Sequence, residues 1–267
     1  MLLQMHLRWY WVLNTILARL QARSTSSYSG RPFKVTMEVR VRSHVRRRVQ
    51  PPRRSTFVEQ KALTDVDAAA LESARKDFEQ EDDFADKVLA GKARVEDYPL
   101  YGSYVDTIDA EARLLQRPKT VLFVGSGPVP LSAILLAKRF PDARVDIMDI
   151  SPSALKKGAE VARAAGVPLG DKIASDAKDY TGYAKYDVVV LAMEAGPTTK
   201  TKRDVMRRIF SRIRPGTSVL LRGSRGAGGG DIFVETRQLL PHNVEILRSV
   251  STWEGAGETM LTRRREK

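Results

Sequence analysis

Two glycines one residue apart close an apolar run in the stretch "TVLFVGSGPVP", residues 120–130. Gly125 and Gly127 let the backbone turn sharply and let a ligand approach it closely. Pro128 can open the helix that follows, because its missing N–H is not needed there. Asp149 ends the next apolar run, 22 residues after Gly127. An acid there accepts hydrogen bonds from ribose hydroxyls. Asp176, in "SDAKDY", follows a third run and can face an adenine amino group. With Ser126, Ile150 and Ala177 beside them, these residues form a candidate nucleoside site.

The loop also limits which nucleotide is held. NAD and FAD sites favour a third glycine, which brings helix and strand close beneath a pyrophosphate. Here Val129 and Pro130 stand in that region. Pro128 and Pro130 also remove two backbone donors. No Gly-Lys-Ser/Thr follows, so the loop is not a P-loop. S-adenosylmethionine fits better, having adenine and ribose but no phosphate. Ordinary S-adenosylmethionine methyltransferases carry an acid two residues before the first glycine, near the methionine amino group. Here that position is Phe123. The amino-acid arm should be held differently, and any of the three carbons on the sulfonium becomes a candidate for attack.

Strands and helices must alternate to place these residues on one edge. The pattern predicts strands at 120–124, 144–149, 172–174, 186–192 and 217–222. Helices are expected at 128–139, 152–165 and 199–213, with helical character in "DIFVETRQLL". Such alternation implies a mostly parallel sheet with right-handed crossovers. "NVEILRSVST" and "GETMLTRRR" read as a late antiparallel hairpin joined through "TWEGAG". Upstream, residues 56–91 predict one or two helices, with Thr64 or Asp65 as N-cap and Gly91 as stop. The expected class is α/β: a Rossmann-like class I methyltransferase fold, residues 118–267, under a small helical cap, residues 56–117.

The chain has 267 residues and no Cys, which excludes thiolate catalysis, thiolate metal sites and disulfides. Its three His are scattered, and no metal site is expected. Of its 45 Lys/Arg and 32 Asp/Glu, residues 1–55 hold twelve and one. The net charge of +13 therefore sits mostly in that leader, and no nucleic-acid partner is expected. The leader reads as a targeting segment, as sequence upstream of a later start, or as a disordered basic arm. Its apolar part is too short and interrupted to span a bilayer. A cytoplasmic location is expected, with organelle targeting left open.

Several stretches together resemble the nicotianamine synthase family. "FVGSGPVPLSAILLA" is similar to its glycine–proline loop and apolar helix. "DYPLYGSYVDTIDAEARLL" resembles its tyrosine segment, and "MDISPSA" its Asp-Ile-Asp-Pro-Ser-Ala. "YDVVVLAMEAG" and "RPGTSVLLRGSRGAG" resemble later strands. The resemblance covers roughly residues 75–262. Ser151 departs from it, as do Gly228 and the glycine run around it. The resemblance implies transfer of the 3-amino-3-carboxypropyl group from S-adenosylmethionine to an amine, with release of methylthioadenosine, in metallophore biosynthesis. It places Tyr104 near the reacting centre, with Tyr98 and Tyr101 lining the same cavity. It makes Glu79 or Glu81 the general base, Glu79 being preferred.

An amine attacks only when deprotonated, so a nearby carboxylate has work to do. Arg222, at the end of the fifth strand, could pair with a substrate carboxylate. Glu194, at the end of the fourth, could touch either substrate. The expected partners are a small-molecule amine and S-adenosylmethionine, with no stable membrane insertion and a homodimer left open. A methyltransferase remains the alternative, followed by a binding module built on the leader and by an NAD oxidoreductase.

Overall fold

The computed structural model describes residues 57–224, 236–253 and 257–265. The basic leader, Gly228 and its glycine run, the first half of "DIFVETRQLL" and the "EGA" of the hairpin connection lie outside the described residues. In order, the elements are α1 (Phe57–Leu89), α2 (Tyr101–Ala112), β1 (Thr120–Val124), α3 (Leu131–Arg139), β2 (Arg144–Asp149), α4 (Pro152–Ala164), β3 (Lys172–Ala174), β4 (Val188–Leu191), α5 (Thr199–Arg212), β5 (Ser218–Ser224), β6 (Val244–Thr252) and β7 (Gly257–Arg264). Short 3-10 turns occupy Val95–Asp97, Gly182–Lys185 and Thr236–Leu239.

The strands form one sheet in the order β3-β2-β1-β4-β5-β7-β6. The first five are parallel; β7 runs antiparallel to β5, and β6 to β7. Val124 pairs with both Met148 and Leu191, so β1, β2 and β4 end together at one edge. The chain reverses its direction of travel across the sheet between β1 and β4. That reversal opens a crevice at the carboxyl ends of the strands, where open α/β sheets hold ligands.

Both faces of the sheet are covered, which is why β1 and β4 are almost uninterrupted Val, Leu and Phe. Leu122, Val189 and Leu191 pack under Met206, Ile209 and Phe210 of α5. Val121, Phe123 and Val190 face the other way, among residues of α2 and α3. The cap helix α1 buries Ala85 and Val88 against Leu131 and Ile134 of α3 and Val161 of α4. Lys157 of α4 adds two ion pairs, to Asp82 at 2.7 Å and Asp86 at 2.8 Å. These clusters cross the 117/118 boundary between cap and sheet.

Two helix boundaries differ from expectation. The first helix runs straight through Thr64 and Asp65, because nothing between Phe57 and Leu89 is Pro or Gly. It stops where expected, before Gly91 at φ 69. The helix after the glycine loop starts at Leu131 rather than Pro128. A residue preceding proline is disfavoured in the α region, so Val129 before Pro130 delays the helix by one turn.

The deepest polar link ties α2 to β5. Arg222 donates to Glu111 through Nε at 2.7 Å and Nη2 at 2.8 Å, and to the Ser132 hydroxyl through Nη1 at 2.8 Å. Thr259 also donates to Glu111, at 2.7 Å, and the Phe123 ring lies 5.3 Å from the guanidinium carbon. Glu111 is 0% exposed and Arg222 3%. Arg222→Ala leaves a buried carboxylate alone and should cost about 3–5 kcal/mol of unfolding free energy in urea titration. The paired change E111L/R222M should cost far less than either single change, since no charge is then stranded.

Candidate functional site

The glycine loop spends its amide groups internally. Gly125 and Ser126 both donate to the Met148 carbonyl, at 2.9 and 3.1 Å, and Gly127 donates to Asp149 Oδ2 at 2.9 Å. Pro128 and Pro130 have no N–H to offer. A pyrophosphate would thus find few free donors on this loop, whereas an uncharged nucleoside needs none of them. Asp149 also accepts the Ser151 N–H at 2.9 Å through Oδ1. Each of its oxygens retains a second acceptor position for a hydroxyl donor. Ser151, the departure from the family pattern, caps α4 by accepting from the Ala154 N–H at 3.2 Å.

Beside this loop, Ile150 is 68% exposed, an apolar surface beside a hydrogen-bonding acid. Asp176 turns toward its own loop, accepting from the Lys178 N–H at 3.0 Å and pairing with Lys178 Nζ at 2.9 Å. The Ala177 carbonyl accepts the Tyr183 hydroxyl at 2.7 Å. Ser126 is buried at the turn, and its hydroxyl has no partner among the described residues.

The cap supplies the other wall. A Cβ at Gly127, where φ is 63°, would stand 2.6 Å from Glu81 Oε2. The Glu81 carboxyl therefore rests directly over the loop. Burial pushes it up to about 8, helped by the negative charges of Asp77 and Asp149. Glu194 enters from the turn after β4 and is hydrogen-bonded to Asp77. Burial, then that bond and the charges of Asp77 and Glu81, push it up to about 9. The same turn closes on the loop from the side: a Cβ at Gly125 would lie 2.8 Å from the Ala195 Cβ.

Two residues preferred from sequence fall elsewhere. Glu79 is 60% exposed on the outer face of α1, in a turn-to-turn pair with Arg75. Two residues along a helix is about 200° of rotation, so Glu79 and Glu81 cannot share a face. Of the two, Glu81 is the one that reaches the loop. Arg222 is not poised for a substrate carboxylate, because it is buried with three of its five donors taken by Glu111 and Ser132.

The tyrosines form part of an edge-to-face series from cap to hairpin. Ring centroids are 5.1 Å apart for Phe84–Tyr98, 6.1 Å for Tyr98–Tyr104 and 4.8 Å for Tyr104–Trp253. Burial, then the negative charge of Glu81, keeps the Tyr104 hydroxyl well above its ordinary range. It stays protonated and able to donate. Tyr101 packs against both apolar clusters under the cap.

Asp77, Lys202 and Trp253 join the site although the sequence analysis did not single them out. Lys202 had a legible signal. On α5 the buried positions are Lys202, Val205, Met206, Ile209 and Phe210, a helical stripe in which a lysine is out of place. Asp77 and Trp253 come from distant segments and carry no such mark.

The family model described as "Nicotianamine synthase protein" matches residues 65–253. This chain belongs to the nicotianamine synthase family. Nicotianamine synthase 9 of Hordeum vulgare is 34% identical over 142 residues, covering 49% of this chain and 42% of the barley protein. The match thus spans under half the length of that curated relative. Among solved structures, a Glu-to-Gln variant of MtNAS in complex with S-adenosylmethionine superposes with TM-score 0.61 at 17% identity, over 79% of this chain and 84% of that one. The N-methyltransferase NodS of Bradyrhizobium japonicum WM9, in complex with S-adenosyl-l-homocysteine, gives TM-score 0.50 at 14% identity, over 70% and 99%. The fold is the Rossmann-like one of class I methyltransferases, with a helical cap.

Raised carboxyl groups set the sign of the pH response. Glu81 and Glu194 bind protons in the folded state at pH values where the unfolded chain has released them. Stability of the ligand-free protein should fall as pH rises from about 5 to about 7. Above that range Lys202, lowered to about 7 by burial, opposes the trend. Thermal melts should show a drop of several degrees across that window, and E81Q should flatten it.

Proposed function

We propose that this chain moves the 3-amino-3-carboxypropyl group of S-adenosylmethionine onto an amine, releasing methylthioadenosine. The observation that carries this reading is the seat of Glu81 on the glycine loop, with Asp77, Glu194, Tyr98 and Tyr104 close to it. S-adenosylmethionine brings a sulfonium and an ammonium, the charges such a group lacks. Asp149 would take the ribose hydroxyls, and Ile150 would lie against the adenine.

In the transfer step the amine lone pair attacks the γ-carbon of the aminobutyrate arm. The bond from that carbon to sulfur breaks, and its electron pair neutralises the sulfonium as a thioether. The proton of the attacking amine passes to Glu81. That carboxyl is protonated near neutral pH without ligand; an adjacent cation draws its affinity for the proton down. The base is thus generated by the substrate it serves. Tyr104 donates its hydroxyl to orient the arm or the incoming amine.

Phe123 explains why the γ-carbon would be offered rather than the methyl. The side chain that stands where methyltransferases anchor the amino-acid arm is an aromatic ring, and it packs under the Arg222 guanidinium. An arm without that anchor turns toward the acids of the cap, and alignment then selects the bond that breaks. Conjugates made this way carry amines and carboxylates together, the donor set of a metal chelator, which fits a place in metallophore biosynthesis. Methyl transfer is the second reading, favoured by the fold shared with NodS.

Mass spectrometry of the purified protein with S-adenosylmethionine and candidate amines separates the two readings. Methylthioadenosine with a conjugate 101 mass units heavier, about the mass of the transferred group, is expected; S-adenosylhomocysteine would establish methyl transfer instead. E81Q should lower kcat by about 10²–10⁴-fold, while E79Q should stay within about twofold of the unaltered protein. Calorimetry near pH 7 in buffers of different ionisation enthalpy should show proton release when S-adenosylmethionine binds. Neutral methylthioadenosine should release less.

A further inference from the structure

Lys202 is 1% exposed, and the transfer step leaves it without a role. Its Nζ donates to the main-chain carbonyls of Ala192 at 3.1 Å and Met193 at 2.6 Å. Those carbonyls open the turn 192–196, which carries Glu194 at its centre and lays Ala195 against Gly125. The same lysine's backbone amide donates to the Thr198 carbonyl at 2.8 Å in the first turn of α5, and a Cβ at Gly196 would stand 2.9 Å from that nitrogen. Lys202 thus bonds the start of the turn through its side chain, and its backbone packs beside the turn's end.

We propose that Lys202 is a positioning residue for the transfer reaction: it tethers the 192–196 turn and so holds the Glu194 carboxyl against Asp77, across the mouth of the substrate cleft. A buried ammonium is costly unless it is bonded, and two carbonyls satisfy two of its three donors. Methionine or leucine would fill the stripe on α5 more cheaply, but neither could hold the turn. The charge has a second effect. Glu194 faces Asp77 and Glu81 from α1, Tyr98 before α2, Tyr104 on α2 and Lys202 on α5. Lys202 is the basic group among these residues, and in its charged form it favours the ionised carboxyl that a sulfonium or ammonium would meet.

This proposal rests on the reading of the cleft as a site for S-adenosylmethionine, so its test has an arm that does not use that ligand. Hydrogen exchange of residues 192–196 and calorimetric binding of S-adenosylmethionine against pH are compared for the unaltered protein, K202M and K202R. In K202M, exchange of the turn should quicken at least tenfold relative to the sheet. The pH midpoint for binding should rise by about one unit, because Glu194 loses its cation. K202R should lie closer to the unaltered protein in both. A folded K202M with unchanged exchange and an unchanged midpoint would overturn the proposal. If K202M does not fold, K202Q, neutral but still a donor, should shift the midpoint alone; no shift overturns it. A fold that accepts only K202R would assign Lys202 to stability and overturn it as well. If the unaltered protein binds no S-adenosylmethionine, the function fails, while the exchange arm still decides the role of Lys202.

Discussion

Partly buried carboxyl groups with no ion pair among the described residues are the constraint around which this site is built. Glu81 and Glu194 meet over the glycine loop together with Asp77. The cations of the surrounding elements are committed elsewhere: Lys157 to Asp82 and Asp86, Arg222 to Glu111, Lys202 to main-chain carbonyls. Burying an ionised acid is expensive, so Glu81 and Glu194 hold protons instead. The arrangement is uncomfortable for the empty protein and favourable for a cationic ligand, and this is the usual balance at functional sites.

The rest of the structure keeps that arrangement from relaxing. A 33-residue helix could carry its acids into solvent, but Ala85 and Val88 pin it to α3 and α4. The loop beneath cannot withdraw, because its amides are bonded to the end of β2. The turn bearing Glu194 is held by Lys202 and pressed against Gly125. Pre-organisation of this kind puts the cost of desolvation into folding rather than into each turnover.

Phe123 and Arg222 show how a shared fold can carry a different interaction on the same strand. In a methyltransferase-like sheet, the end of β1 is where an acid meets the amino-acid arm. Here that strand presents an aromatic ring to a buried guanidinium, and the guanidinium is bonded to Ser132 and to Glu111, which also accepts from Thr259. The polar function of the strand end is thereby moved into the core as a strut between α2 and β5. The acids near the glycine loop come from the cap and from the turn after β4 instead.

Much of the frame was legible because its signals are local. Val, Leu and Phe in unbroken runs mark buried parallel strands. Gly125, Gly127 and Asp149 keep their meaning at fixed spacing, and the late pair of strands reads as an edge hairpin. The helix starts at Phe57 and Leu131 were missed for equally local reasons: an unbroken run of helix formers in one case, and two closely spaced prolines in the other. The choice between Glu79 and Glu81 turned on helical phase, which follows from geometry once the docking face of α1 is known and is undetermined before that. The internal commitment of Arg222 to Glu111 and the meeting of Asp77 with Glu194 join segments more than 100 residues apart. The sequence alone determined the fold class and the glycine loop, since periodicity and turn chemistry act over a few residues. Which charges face one another was decided only by tertiary packing, because electrostatic energy depends on distance and burial in space rather than on separation along the chain.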